Sequence, residues 1–347
     1  MNRQEEKLFP IQLKFNLKTL IIILIFAIGL YFLLPRLIGI QQAIRLILQV
    51  KQNYLILAIL AEIVSYIGAA WLLGIILQRL GYKIKFWDRF RIGSIAAFAI
   101  HFFPVGTFGE GAVDYYFLKK KNVESGSILL MLVLRIIISY IAFLSLFVIS
   151  LILVPTAPHL ALAAKIISLV ICVLIIVGIF YIIYLYRHKD RFRRSMYKFL
   201  KFVDFFLSRF RGRQLSESRT EEIFEDIYTG IGLFGRKKRF FILAIFASLI
   251  YWLGDMTCLF FVFASLGYTI HFGVLIFGYA VSTLLGMISF IPGGLGVFEG
   301  SMALIYTGLG VPSDLTLMSI LIFRLFSFWL WIPFGLYSFI SLTKKNK

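Results

Sequence analysis

Acidic residues are scarce in this sequence: 17 Asp and Glu stand against 36 Lys and Arg in 347 residues. Only 15% of positions are charged, while 60% are hydrophobic. Soluble domains carry about 25% charged and about 45–50% apolar residues, so a cytosolic enzyme and a disordered chain are excluded. There are only two cysteines, Cys172 and Cys258, each inside its own apolar run. With no C-x-x-C spacing they make neither a disulfide scaffold nor a thiolate metal centre. Also missing are a nucleophile–base pair, a DDxxD-type metal cluster and a nucleotide-binding loop. No cofactor and no metal is therefore expected. The net charge of +19 would point to nucleic acid in a soluble protein. In so apolar a chain it reads as the Lys/Arg excess of cytoplasmic loops, and no nucleic-acid partner is expected.

Long apolar runs are what the chain has in abundance. A hydrocarbon core about 30 Å thick takes about 20 residues of helix. Residues 20–40, 55–77, 128–154, 162–186, 240–266 and 315–342 meet that length. The first run follows a basic N-terminus, as in a signal peptide, but has no small-residue cleavage site and is read as a span. Two further apolar stretches are interrupted. Residues 92–118 contain Pro104, Gly106, Gly109 and Gly111, and residues 272–309 contain Pro292, Gly293, Gly294 and Gly296. Each reads as two short helical arms around a break, a re-entrant hairpin. Such backbone is tolerated at membrane depth only when buried in protein or lining a cavity.

The expected fold is an all-α integral membrane protein with about six transmembrane helices and two broken re-entrant hairpins. With the N-terminus cytoplasmic and both hairpins returning to their side of entry, 30 of the 36 basic residues fall inside and four outside. This bias predicts a multi-pass protein of the cytoplasmic membrane with both termini inside. Residues 187–239 are the one sizeable polar region. Within them Phe192, Phe199, Phe202, Phe205, Phe206 and Phe210 interleave with Lys and Arg, the pattern of an interfacial helix with its aromatics in lipid. Ser218-Arg-Thr-Glu221 then reads as a capping box. A solvated positive loop and a specific lipid or partner site both fit this region.

The chain also repeats itself. Leu57-Ala-Ile-Leu-Ala matches Leu243-Ala-Ile-Phe-Ala, Gly68 matches Gly254, and Leu80-Gly-Tyr matches Leu266-Gly-Tyr, all 186 positions apart. Pro104-Val-Gly-Thr-Phe-Gly-Glu110 aligns with Pro292-Gly-Gly-Leu-Gly-Val-Phe-Glu299 across a small gap. In each copy an intramembrane arginine follows 25 residues after the glutamate, Arg135 and Arg324. Three crossings separate the copies, so the second is inverted, an architecture of secondary transporters. The expected organisation is 1–53 (N-terminal segment, first helix and external linker), 54–186 (repeat 1), 187–239 (basic loop) and 240–347 (repeat 2 with the tail).

Seven ionisable residues fall inside predicted spans or hairpins: Glu62, Glu110, Asp114, Arg135, Asp255, Glu299 and Arg324. At roughly 3 kcal/mol each on the insertion scale, they total roughly 20 kcal/mol before pairing, too much for drift. For Arg135 and Arg324, a structural lock onto the glutamates and a substrate role weigh equally. For Glu110 and Glu299, beside the breaks, a functional role is favoured. Asp114 lies one helical turn after Glu110 and either shares its face or sits at the membrane boundary. Glu62 and Asp255 have no ionisable mate, their counterparts being Ser248 and Ala69, which points to asymmetric substrate contacts. The glycines alone would mean close helix packing. Pro-Gly-Gly-Leu-Gly before a glutamate is more specific, because a helix start there favours an anion such as phosphate. His101 reads as a packed neutral histidine.

Phe290-Ile-Pro-Gly-Gly-Leu-Gly-Val-Phe-Glu-Gly300 resembles the signature of the lysylphosphatidylglycerol synthase transmembrane region, and Pro104–Glu110 with Asp114 resembles that family's first motif. The family includes the flippase half of the multiple peptide resistance factor and many stand-alone membrane proteins. The resemblance implies a protein that moves or handles a lipid, anionic or aminoacylated. The full-length resistance factor also carries a soluble aminoacyl-transferase domain, which this sequence lacks. The leading expectation is thus a lipid flippase of the inner membrane. The alternative is the membrane component of an aminoacyl- or glycosyl-transferase system, with a soluble transferase acting in trans. Oligomeric state is left open.

Overall fold

The computed structural model describes residues 50–102, 106–154, 238–289 and 291–344, with scattered positions between 170 and 228. Among the described residues the order is α1 (Gln52–Arg79), α2 (Phe86–Phe102), α3 (Gly106–Lys120), α4 (Ser125–Leu153), α5 (Lys238–Ser265), α6 (Phe272–Ile288), α7 (Val297–Gly308), α8 (Ser313–Arg324) and α9 (Trp331–Lys344). A 3-10 turn, Pro292–Gly294, precedes α7, and a π turn, Leu325–Trp329, joins α8 to α9. No strand occurs among the described residues, in keeping with an all-α membrane protein. Among the described residues, four helices are long and apolar enough to cross a bilayer: α1, α4, α5 and the continuous Ser313–Thr343 segment. Two expected spans, 20–40 and 162–186, lie outside the residues described throughout, as do Cys172 and Pro104.

Both interrupted stretches fold as paired arms. In the first, α2 packs on α3 around residues 103–105; in the second, α6 packs on α7 around 289–296. The breaks differ in sequence logic. Gly293, Gly294 and Gly296 have φ of 61°, 64° and 84°, a left-handed region that glycine enters without steric cost. Gly106 and Gly109, expected at the break, instead lie in the first turns of α3.

The repeat is visible in the elements themselves. α1 and α5 are 28 residues each, α2 and α6 are 17 each, and each pair begins 186 positions apart. α1 and α5 end in the same turn, with Gly81 and Gly267 at φ of 93° and 79°. They run antiparallel over their whole length. The Lys51 N–H donates to the Ser265 carbonyl at one end (2.9 Å), and Arg79 lies over the Phe240 ring at the other.

At mid-length the backbones nearly touch. A Cβ on Gly68 would stand 2.6 Å from Tyr251 N and 2.9 Å from Ala247 O; one on Gly254 would stand 2.7 Å from Ser65 N and 2.9 Å from Ala61 O. Tyr251 and Ala247 are the repeat mates of Ser65 and Ala61, so each contact is the image of the other. That reciprocity is the mark of a two-fold axis, and the antiparallel crossing makes the second copy inverted. Aromatics flank the crossing on both sides: Tyr66 stacks on Trp331 at 3.4 Å, and its repeat mate Trp252 meets Phe143 at 4.5 Å.

Two apolar cores fill the halves. One packs α4 and α5 on α6 and α7 through Phe147, Phe263, Leu275 and Tyr306; the other packs α1 on α2, α3 and α4 through Ile76, Ile92, Phe117 and Ile128. Ile56, Leu60 and Val64 on α1, with Ile242 and Phe246 on α5, remain exposed, as a lipid-facing surface requires. In the basic region Phe192 packs against Phe224 and Tyr228, and Arg193 and Lys189 pair with Glu221 and Glu225. Glu225 holds the Lys189 ammonium above its ordinary range. Phe192, expected in lipid, thus meets a neighbouring helical segment, because Phe224 and Tyr228 offer it an apolar partner. Phe199, Phe202, Phe205, Phe206, Phe210 and Ser218 lie outside the described residues.

Candidate functional site

The membrane-embedded ionisable residues converge on the α1–α5 crossing in three groups. The first joins α3 to α4. Arg135 meets Glu110 at 2.8 Å and Asp114 at 2.6 Å. Glu110 and Asp114, one turn apart on α3, share a face, and the helical spacing brings both to one guanidinium. Their environments differ. The Asp114 side chain is 0% exposed and that of Glu110 is 27% exposed. One arginine between two carboxylates leaves this group one formal negative charge in surplus.

The second group is the counterpart in repeat 2, joining the break and α7 to α8. Glu299 divides its oxygens: one accepts the Gly296 N–H at 2.7 Å, the other pairs with Arg324 Nε at 2.5 Å. The first contact covers an orphan donor at the start of α7. Arg324 also donates to the Gly293 carbonyl at 3.3 Å and lies over the Phe298 ring at 4.1 Å. The guanidinium thus meets Glu299, the Gly293 carbonyl and the Phe298 ring, with the Phe328 ring 5.6 Å away. Glu299 is 6% exposed, and the position matching Asp114 is Ala303, so charge is balanced here.

The third group lies on the crossing. Glu62 of α1, 2% exposed, faces Asp255 and Cys258 of α5 and Trp331 of α9. The Tyr279 hydroxyl donates to Asp255 Oδ2, and Arg324 acts on Asp255 from farther away. Tyr66 and Tyr251 each feel the fields of Glu62, Asp255 and Glu110, and Tyr140 that of Glu110. Tyr279 is thus bonded into the third group, and Tyr66, Tyr140 and Tyr251 stand among the carboxylates of the first and third.

All seven ionisable residues singled out in the sequence are therefore brought together. Sequence reasoning missed Tyr66, Tyr140, Tyr251, Tyr279 and Trp331. The available signal was depth: tyrosine in membrane helices favours the interface, whereas Tyr66 and Tyr251 stand in the middle of 28-residue helices. Side-chain detail at His101 lies outside what is described. Among the described residues no group of three or more His, Cys, Asp or Glu could hold a metal ion.

By sequence the chain is similar to membrane proteins of comparable length. The chain is 25% identical over 303 residues to a UPF0104 membrane protein of Methanocaldococcus jannaschii, covering 84% of this chain and 85% of the relative. It is 25% identical over 296 residues to a UPF0104 membrane protein of Pyrococcus horikoshii, covering 84% and 88%. A shorter stretch of 131 residues is 32% identical to a UPF0104 membrane protein of Methanothermobacter thermautotrophicus, spanning 35% of this chain and 38% of that relative. The family model described as the lysylphosphatidylglycerol synthase TM region matches residues 19–335, which take in both hairpins and all seven charged positions. The chain belongs to that family.

Proposed function

We propose that this protein moves a phospholipid with an anionic or aminoacylated headgroup between the leaflets of the cytoplasmic membrane. The observation that carries the reading is the Glu110–Asp114–Arg135 group, where one arginine serves two carboxylates of unequal exposure. Asp114, sealed in protein, is the permanent counter-ion of Arg135. Glu110 is the exchangeable one. A lipid phosphate takes its place on the guanidinium, a bidentate partner for phosphate oxygens. The released Glu110 then faces any cationic amine of the headgroup. Inverted repeats with paired broken helices support the same reading, because transporters place their sites at the repeat interface. The basic end of the bundle, where Arg79, Lys83, Lys85 and Lys119–Lys121 gather, faces the cytoplasm by the positive-inside rule. Lysyl transfer, where it occurs, belongs to a soluble partner.

The test is reconstitution of the full chain in vesicles of phosphatidylethanolamine and phosphatidylglycerol carrying a fluorescent phosphatidylglycerol in both leaflets. Quenching from outside with a membrane-impermeant reagent reports lipid exchange. The expected result is quenching beyond the outer-leaflet half, lost in Arg135→Leu combined with Glu110→Gln and Asp114→Asn. Exchange at the protein-free rate, with correctly folded protein in the vesicles, would overturn the reading.

A further inference from the structure

The two-fold axis through the α1–α5 crossing supplies an internal control for the Glu62–Asp255 pair. Under the 186-residue shift, Glu62 maps to Ser248 and Asp255 to Ala69. The same crossing is thus built twice, once around two carboxyls and once around a hydroxyl and a methyl. The matched close approaches at Gly68 and Gly254 show that both versions pack alike. Packing needs no carboxyl here. The pair nonetheless carries an insertion cost, so its presence in one half requires another reason.

The immediate surroundings define that reason. Glu62 Oε2, Asp255 Oδ1 and Trp331 Nε1 are each sealed from solvent, and none completes a hydrogen bond. Trp331 is 4% exposed and its indole is aimed at Glu62. The charged and titratable groups named against the pair come from four helices. Tyr66 lies on α1, Tyr251 and Cys258 on α5, Tyr279 on α6 and Arg324 on α8, while Glu110 on α3 acts on Tyr66 and Tyr251 from behind them. The one cation among them, Arg324, is already held by Glu299. Two negative charges side by side in a low dielectric repel strongly, and groups so coupled release their protons in separate steps. A metal cation does not suit the site, because the Tyr279 hydroxyl and Trp331 indole present hydrogens where it needs oxygen lone pairs. A single proton does: it turns one carboxylate into a donor for the other.

We infer that Glu62 and Asp255 form one proton-binding site, and that proton uptake and release there drives the lipid movement proposed above. The coupling half of the inference rests on that transport reading; the proton site does not. The step is balanced: a proton from the aqueous phase adds to a carboxylate oxygen to give the carboxylic acid, and leaves from the same oxygen.

Two measurements on the full chain, in the vesicles already described, separate the claims. The first is a pH-difference infrared spectrum. The expected result is a carboxylic-acid carbonyl band that disappears as pH is raised, displaced in Glu62→Gln and in Asp255→Asn and absent when both are changed. A spectrum without such a band, or with one indifferent to both substitutions, overturns the proton site. The second is exchange of fluorescent phosphatidylglycerol under an imposed pH gradient. The expected result is at least a tenfold loss of gradient dependence in each variant. Exchange that ignores both the gradient and the substitutions overturns the coupling. If no lipid moves at all, the transport reading and the coupling fail together, and the infrared band still decides the proton site. Glu62→Ser with Asp255→Ala, which writes the residues of the other half into this one, is the folding control; it is expected to fold and to lack the band.

Discussion

The Ser65 hydroxyl donates at 2.8 Å to the backbone carbonyl of Tyr251, the residue that occupies the same place in the second repeat. Two residues that are each other's counterparts can touch only where the axis relating the copies passes between them. That contact, with the reciprocal approaches at Gly68 and Gly254, places the axis at the α1–α5 crossing.

The crossing should be intolerant of bulk, and equally so from either side. Gly68→Ala and Gly254→Ala each set a methyl within 2.7 Å of backbone, so α1 and α5 must separate. Each is expected to cost about 1–3 kcal/mol, the range for overpacking, and to lower the midpoint of thermal unfolding in detergent. Gly93→Ala on α2, where a Cβ meets nothing within 4 Å, is the control and should be neutral or slightly stabilising. Unequal losses at Gly68 and Gly254 would argue against the axis.

The ion pair of the second hairpin behaves as a lock. Glu299→Gln keeps an oxygen for the Gly296 N–H but leaves Arg324 without its counter-ion, at an expected cost of about 3 kcal/mol. The double change Glu299→Gln with Arg324→Leu removes the stranded charge and should recover much of that loss. Thermal unfolding of the three forms checks the cycle. A single variant as stable as the parent would show that the Gly293 carbonyl and the Phe298 ring hold Arg324 unaided.

The first hairpin should respond differently to its two carboxylates. Asp114→Asn takes the sealed counter-ion from Arg135 and should destabilise by about 3 kcal/mol. Glu110→Gln leaves Asp114 in place and should cost about 1 kcal/mol, as for a partly exposed pair, while lipid exchange falls by at least tenfold. Stability and exchange measured on the same preparations distinguish the roles. Equal destabilisation by both would remove the case for an exchangeable Glu110.

Orientation can be read by labelling. In a cysteine-free background, a cysteine replacing Asp314 should react with an impermeant thiol reagent added to intact cells, and one replacing Asn122 should not. These positions lie at opposite ends of the bundle, Asn122 beside Lys119–Lys121 and Asp314 at the start of α8. Labelling of Asn122 from outside would invert the topology.

The hairpins and the Glu–Arg pairs were legible in the sequence because clustered proline and glycine break a helix and charge buried in lipid is expensive to keep. The 25-residue spacing from Glu110 to Arg135 and from Glu299 to Arg324 carried the pairing. Asp114 was ambiguous, since one turn of helix separates a shared face from the membrane boundary, and only the packed structure places it at 0% exposure. The tyrosines were not legible. Helices apolar on nearly every side give periodicity no polar face to register, so nothing in their spacing said that Tyr66 and Tyr251 look inward. Glu62 and Asp255 showed as unmatched, but their meeting depends on the antiparallel crossing, a fact of tertiary packing. The π turn Leu325–Trp329, which sets Trp331 against Glu62, has no sequence signal; the matching helix α4 is continuous.

A backbone with a two-fold axis lying across its long helices looks the same to an observer in the cytoplasm and to one outside. Such a scaffold has no arrow: whatever path it offers in one direction it offers in the other. Vectoriality can reside only in side chains and turns that the rotation fails to reproduce. Four such departures are on display here: the second carboxylate at Asp114, the acid pair across the crossing, the triply held Arg324, and the π turn beneath Trp331. They constitute the polarity of the molecule, much as the few differing teeth on a ratchet wheel decide which way it turns.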